Sequence, residues 1–153
     1  MNIFGIGPML AFTGAIGLLI ILVLHLGLGV SIPLSPPWYQ VIRVLGAFLC
    51  IIGVYFWISS ILLISRAYKS HHLETSGVYR FSRNPMYAAF IVFLVPGIAC
   101  ICNNLLILIV PMGMYVAFKI RIKREEEYLE QSYGVEYQQY ERKVAQLVPF
   151  VRL

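Results

Sequence analysis

Residues 41–65 read VIRVLGAFLCIIGVYFWISSILLIS, and this stretch decides the class of fold. Arg43 is its one charged side chain, and it lies close enough to the beginning of the stretch to reach a membrane surface. A helix needs about 20 apolar residues to cross the hydrocarbon core of a bilayer, so the stretch is long enough for one crossing. Trp38 and Tyr39, just before it, are typical of an interfacial aromatic belt. The sequence therefore predicts a membrane-spanning helix here.

Three further apolar runs accompany this one, and proline or asparagine punctuation separates them. A proline-rich break follows the first run, and Asn103-Asn104 divides the last two. We therefore predict an all-α polytopic membrane protein with about four transmembrane helices, formed by residues 1–153 as a single domain. The predicted spans are residues 3–30, 41–65, 86–102 and 105–120, with a cytosolic loop over 66–85 and a cytosolic helical tail over 121–153. We expect a helix to restart at Pro85, because proline suits the first turn of a helix. Gly134 is a predicted helix stop within the tail.

Composition excludes an ordinary soluble domain. Of 153 residues, 59% are hydrophobic and 12% are charged, whereas a soluble domain has roughly a quarter of its residues charged. The net charge of +5 could suggest a nucleic-acid binder, but residues 66–83 and 119–152 contain eleven of the twelve Lys and Arg. Basic segments beside long apolar runs are typical of the cytosolic membrane surface. We expect contact with membrane lipids and no nucleic-acid partner, in a bacterial inner membrane or endoplasmic reticulum.

The two polar segments should meet on the cytosolic side, so a site for a charged ligand should be built from them. Arg121 and Glu125 are four residues apart and would share one face of a helix that continues from the fourth span. Their spacing fits a solvated ion pair as well as a functional pair. The segments contain these polar candidates: His71, His72, Glu74, Tyr79, Arg83, Asn84, Tyr87, Arg121, Glu125 and Glu126.

Other familiar site patterns are not found in the sequence. His71, His72 and Glu74 lack a further ligand at suitable spacing, and Cys100-x-Cys102 lacks the partners of a zinc site, so we predict no metal. There is no glycine-rich phosphate cradle of the P-loop or Rossmann type. The residues alone therefore indicate a polar cytosolic cluster and leave its reaction open.

Four motifs, in order and at compatible separations, resemble the isoprenylcysteine carboxyl methyltransferase family, which is grouped with the phospholipid methyltransferases. The resemblance covers roughly residues 64–150. The motifs are His71-x-Leu73-x-Thr75-Ser76-Gly77-Val78-Tyr79, Arg83-Asn84-Pro85-Met86-Tyr87, Arg121-x-x-x-Glu125-Glu126 and Tyr133-Gly134-x-Glu136-Tyr137-x-x-Tyr140.

The resemblance implies an integral membrane methyltransferase that uses S-adenosylmethionine (SAM) on a lipophilic or lipidated substrate, such as a prenylcysteine-type carboxylate or a phospholipid amine. It implies that Arg121 meets the substrate carboxylate. Glu126 would help to deprotonate an amine acceptor. The residues implied to bind the cofactor are His71, His72, Leu73, Glu74, Tyr79, Asn84, Pro85, Met86, Tyr87 and Glu125.

Asn84 is a departure, because the best-known members of the family have histidine at this position. Asparagine can still donate and accept hydrogen bonds, but it cannot titrate as imidazole does. The acceptor therefore stays open between a carboxylate, an amine and a thiol.

Two other functions and an oligomer stay open. The C-terminal layout also resembles membrane sterol reductases, which use NADPH, and a non-catalytic membrane scaffold is the other alternative. Gly7, Ala11 and Ala15 form a small-residue stripe on the first span, a pattern that lets helices approach closely in lipid. The stripe hints at a homo-oligomer.

Overall fold

A computed structural model of the chain describes residues 7–33, 37–70 and 72–148, and these residues contain helices and no strand. The predicted all-α class is confirmed. The helices are α1 (Gly7–Leu28), α2 (Trp38–Ser70), α3 (Pro85–Ile101), α4 (Leu105–Tyr133) and α5 (Val135–Lys143). A 3₁₀ turn, Gly77–Arg80, lies between α2 and α3, and the first residues of α4, Leu105–Leu108, are also 3₁₀.

Within the described ranges, three helices, α1, α2 and α4, are long and apolar enough to cross a membrane. The third apolar run is a helix, as predicted, but it extends only from Pro85 to Ile101. At a rise of about 1.5 Å per residue, this helix reaches about 25 Å, whereas the hydrocarbon core is about 30 Å thick. A crossing by α3, and with it the count of four spans, stays a prediction.

The predicted loop over residues 66–85 begins too early, because α2 continues to Ser70. The apolar run ends at Arg66, but residues 66–70 contain no glycine or proline, so polarity changes there without a helix stop. The predicted restart at Pro85 is confirmed, since this residue opens α3. A proline fits there because the first N–H groups of a helix have no intrahelical acceptor.

A close approach of two glycines joins α2 to α3. A Cβ atom on Gly97 would lie 2.7 Å from the Cys50 Sγ atom, and one on Gly46 would lie 2.7 Å from the Gly97 carbonyl oxygen. Real Cβ atoms do not come that close, so glycine at both positions permits the contact. Inside α3, residues Ala89–Leu94 form a π-helical segment, in which Val95 N–H donates to Phe90 O.

The largest apolar core lies where α1, α3 and α4 pack together, around Met114, Phe118 and Ile122. Gly14 of α1 packs on Met114. Ala11 and Ala15, from the predicted small-residue stripe, lie on the exposed side of α1. These two alanines are therefore not buried within the part of the chain that the structure describes, and the homo-oligomer stays a prediction.

Asn104 connects the turn between α3 and α4 to the chain that follows α1. Its Oδ1 atom accepts hydrogen bonds from Ile32 N–H (3.3 Å) and from Leu106 N–H (3.2 Å). Leu105 N–H in turn donates to the Ile32 carbonyl (3.0 Å). These hydrogen bonds hold the turn between α3 and α4 against the residues that follow α1.

Gly134 ends α4 and redirects the chain at the polar end of the molecule. Its φ of 53° and ψ of −124° suit glycine and not a residue with a side chain. The next residues form α5, and residues 144–148 then return toward the beginning of α3. The predicted helix stop at Gly134 is confirmed.

Candidate functional site

The site lies where four segments meet: residues 72–84, the beginning of α3, the end of α4, and α5 with residues 144–148. Tyr87 and Glu125 join two of them. The Tyr87 hydroxyl donates to both carboxylate oxygens of Glu125, at 3.1 and 3.2 Å. The predicted site residues on α3 and α4, 38 positions apart, are thus brought together.

Tyr79 lies in the electric field of two carboxylates from different segments. Its side chain is buried, and burial raises the pKa of the phenol, with Glu74 and then Glu125 raising it further. Three of the predicted cofactor-binding residues are therefore within electrostatic reach of one another. Two carboxylates that act on the same phenol contribute a negative potential, which favours a cationic ligand.

Glu74 is held in a turn. Its Oε1 atom accepts from the Ser76 N–H at 2.8 Å and from the Ser76 hydroxyl at 2.6 Å. His72, which is exposed, lies 3.8 Å from the other carboxylate oxygen, measured from its Nε2 atom. These contacts orient a carboxylate whose side chain is 8% exposed.

Arg83 is the centre of an ion-pair cluster. Its Nη1 atom lies 3.0 Å from Glu126 Oε1, 2.5 Å from Glu141 Oε1 and 3.2 Å from the Tyr137 hydroxyl. Burial alone would lower the pKa of Arg83, but Glu126, Tyr137 and Glu141 raise it above its ordinary value. The guanidinium is therefore a permanent cation. Its Nε–H is buried without a hydrogen-bond partner in the described part of the chain.

Residues 144–148 cover the loop that precedes α3. Arg83 N–H donates to the Ala145 carbonyl at 2.8 Å, and Asn84 Nδ2 donates to the Gln146 carbonyl at 2.9 Å. The Gln146 side chain donates to Glu126 Oε1 at 2.8 Å and accepts from Lys119 Nζ at 2.6 Å. The tail thus closes one side of the site.

Aromatic residues of α5 close the opposite side. Leu73, Tyr137 and Tyr140 form a buried cluster. The Tyr140 hydroxyl donates to the Tyr79 carbonyl at 2.7 Å, a hydrogen bond that is itself buried. Burial, followed by the charge of Glu126, raises the pKa of Tyr137 to about 12. Leu73 and the 3₁₀ turn therefore pack against buried aromatic side chains of α5.

The remaining predicted residues differ in their placement. Pro85 is buried and Met86 is half-buried at the beginning of α3. Arg121 is exposed on α4. Glu125, four residues later on the same helix, accepts hydrogen bonds from the Tyr87 hydroxyl. His71 lies outside the described residues.

Two contributors were not among the predicted site residues. Arg83 was one of the polar candidates but was given no role in the site, although its burial beside two acidic residues makes it the centre of the ion-pair cluster. The position of Arg83 inside the Arg83-Asn84-Pro85 motif was the available signal. Gln146 was missed entirely, because the contacts of its backbone carbonyl leave no trace in the sequence.

Known proteins resemble this chain in sequence. The sequence profile of the phospholipid methyltransferase family matches residues 37–136, which is more than half of the chain. Protein-S-isoprenylcysteine O-methyltransferase A of Arabidopsis thaliana is 39% identical over 90 residues, covering 58% of this chain and 46% of that protein. The protein-S-isoprenylcysteine O-methyltransferase of Schizosaccharomyces pombe is 30% identical over 90 residues, covering 59% of this chain and 38% of that protein.

A probable protein-S-isoprenylcysteine O-methyltransferase of Oryza sativa subsp. indica is 37% identical over 81 residues, 53% of this chain and 42% of its own length. The matched region is thus less than half the length of each of these relatives. The family profile covers three of the four segments that build the site, namely residues 72–84, the beginning of α3 and the end of α4, and it ends at Glu136, the second residue of α5. Because the profile matches from residue 37, just before α2, to Glu136, the chain belongs to the phospholipid methyltransferase family.

Proposed function

We propose that this chain is an integral membrane methyltransferase that takes SAM as methyl donor and methylates a lipophilic acceptor. The observation that carries the proposal is a pair of carboxylates held in place at the polar end, Glu125 by the Tyr87 hydroxyl and Glu74 by Ser76. When bound, SAM supplies a methyl group on a positively charged sulfur, which becomes a neutral thioether as the methyl passes to the acceptor.

The groups present fit such a donor. Its sulfonium and ammonium are cations, and two carboxylates that are partly or fully withdrawn from water complement them better than solvated ones would. Tyr87 fixes the Glu125 carboxylate, and Ser76 fixes that of Glu74. The residues proposed to hold the donor remain His71, His72, Leu73, Glu74, Tyr79, Asn84, Pro85, Met86, Tyr87 and Glu125.

The surrounding residues would exclude water and orient the acceptor. Tyr137 and Tyr140 shield one side. Arg121, exposed one turn before Glu125, is the proposed contact for an acceptor carboxylate, because a guanidinium can bind both of its oxygens. Glu126, which is ion-paired with Arg83, keeps its predicted role as a helper for an amine acceptor.

An apolar groove between α3 and α4 supports a lipophilic acceptor. It has a volume of about 460 Å³ and is lined by Ile91, Leu108, Pro111, Met112, Tyr115 and Val116. The relatives are named for O-methylation of isoprenylcysteine, which favours a prenylcysteine-type carboxylate over a phospholipid amine. The eleven basic residues beside the apolar runs support an active site on the cytosolic face.

The proposal is tested by calorimetry of the full chain in detergent, with SAM, S-adenosylhomocysteine and NADPH as ligands. We expect saturable binding of the first two and none of NADPH. Glu125→Gln should weaken the affinity about tenfold or more, because a charge-assisted contact is worth roughly 1.5–3 kcal/mol. Glu127→Gln, which removes an exposed carboxylate from the same helix, is the matched control and should bind normally.

Each alternative has its own outcome in this experiment. Binding of NADPH alone would favour a reductase of the sterol reductase type. Folded protein that binds none of the three ligands would favour a non-catalytic scaffold, and either result would overturn the methyltransferase.

A further inference from the structure

Arg83 connects its loop to three other segments, α4, α5 and the tail, through its guanidinium and its backbone N–H. Nη1 contacts Glu126 on α4 and both Tyr137 and Glu141 on α5, while the backbone N–H of the same residue binds the tail at Ala145. The Arg83 side chain is 10% exposed. An arginine that faced the solvent in a basic loop would not have so many buried partners. The arrangement therefore indicates a specific structural role for Arg83.

The place of Arg83 in the chain relates this cluster to the donor site. Arg83 immediately precedes Asn84 and Pro85, and Glu126 immediately follows Glu125. Successive residues of an α-helix are turned by about 100° around its axis. The Arg83–Glu126 pair and the Tyr87–Glu125 hydrogen bond therefore grip α4 at two angles, which fixes the rotation of the helix as well as its distance from α3.

We propose that Arg83 is a positioning residue for the methyl-donor site: by holding Glu126 it sets the rotation of the end of α4 and keeps Glu125 directed at Tyr87 and Tyr79. The inference rests on the proposed function. Arg83 itself does not contact the donor, and its effect on the donor passes through Glu126.

Loss of the guanidinium would place two carboxylates near each other without their shared cation. Glu126, with a side chain 18% exposed, would keep the amide of Gln146 as a partner, but an amide does not balance a charge. Repulsion between Glu126 and Glu141 would then turn or displace the end of α4. Lysine would restore the charge without the planar fork, so it should restore the position only in part.

The test measures the affinity of the full-length protein in detergent for S-adenosylhomocysteine, well below the melting temperature of each variant. Under these conditions a residue that only stabilises the fold leaves the affinity of the folded protein unchanged. We expect about a tenfold weaker affinity for Arg83→Met and about threefold for Arg83→Lys, within the range of couplings between contacting residues. Glu126→Gln should also weaken binding, and Arg83→Met combined with Glu126→Gln should be no weaker than Arg83→Met alone.

Arg80→Met is the matched control, since it removes an exposed arginine of the 3₁₀ turn three residues earlier, and it should bind as the unchanged protein does. A lower melting temperature of Arg83→Met with unchanged affinity would overturn the inference and leave the methyltransferase standing. If Arg83→Met does not fold, unchanged affinity of Arg83→Lys has the same consequence. Folded, unsubstituted protein that binds no S-adenosylhomocysteine would overturn the proposed function as well, so the two failures are distinguishable.

Discussion

The apolar half of the molecule and its polar end are stabilised in different ways. In the most apolar stretches of α1 and α2, 17% of the residues are buried inside the protein, and lipid is left to cover the rest. At the polar end, Tyr79, Tyr140 and Ser82 are buried, and each takes part in hydrogen bonds with defined partners.

This difference determines which positions tolerate change. A side chain that faces lipid needs only to be apolar. Lipid tails are as apolar as leucine, so replacing a lipid contact by a leucine contact gains no hydrophobic free energy. A buried hydrogen bond needs a particular donor and acceptor at a particular distance. Leaving one of the two groups without its partner costs about 1–3 kcal/mol of stability. The apolar half should therefore tolerate apolar substitutions except where two helix backbones are in contact. Substitutions at the buried positions of the polar end should be destabilising throughout.

The largest effect is expected where the backbones of α2 and α3 are in contact within the apolar half. Gly97→Val would force a side chain against Cys50 and the Gly46 carbonyl, which should separate α2 from α3 and cost about 3 kcal/mol, the upper end for overpacking. Thermal unfolding in detergent measures the loss. Gly113→Val, at a helix position with open space around its Cβ, is the control, and an equal loss in both variants would remove the contrast between the two sites.

Alkaline pH should destabilise the polar end selectively. The pKa values of Tyr79, Tyr137 and Tyr140 are raised in the folded protein, so above pH 10 the unfolded chain loses these protons first and unfolding becomes more favourable. With a folded pKa of about 12, Tyr137 alone should cost about 1 kcal/mol by pH 11.

Melting curves at pH 8 to 11 measure this dependence, and Tyr137→Phe should flatten it because it removes one of the three phenols. The same steep decline in Tyr137→Phe as in the unchanged protein would assign the pH dependence to other groups.

The smallest effect is expected on the outer face of α2. Phe48 is 61% exposed, so Phe48→Ala should change the free energy of unfolding by less than about 0.5 kcal/mol, as surface substitutions do. Chemical unfolding in detergent is the measurement. A loss comparable to a buried phenylalanine, about 3 kcal/mol or more, would contradict a lipid-facing position and point to a second copy of the chain on this face.

Sequence reasoning succeeded where a signal is local. Apolar runs predicted four helical segments, Pro85 predicted a helix start and Gly134 predicted a helix stop, since each depends on the residue and its neighbours. It failed at residues 66–70, where polarity changes but the helix continues, and it leaves open a crossing by α3, whose length lies just below that of a span. Motif positions indicated Tyr87 and Glu125, which are joined by a hydrogen bond. The ion-pair cluster at Arg83 depends on distant partners such as Glu141, and no local pattern encodes that meeting.

The contact that Asn104 makes with the residues after α1 has a consequence for the order in which the helices assemble. The hydrogen bond from Ile32 to Asn104 joins residues that are 72 positions apart. A ribosome makes the N-terminal part of a chain first, so α1 is synthesised well before its fastening exists. α1 must therefore wait in the bilayer without its final partner while α2 and α3 are added. The end of α1 is therefore docked only after the turn at Asn104 has emerged from the ribosome.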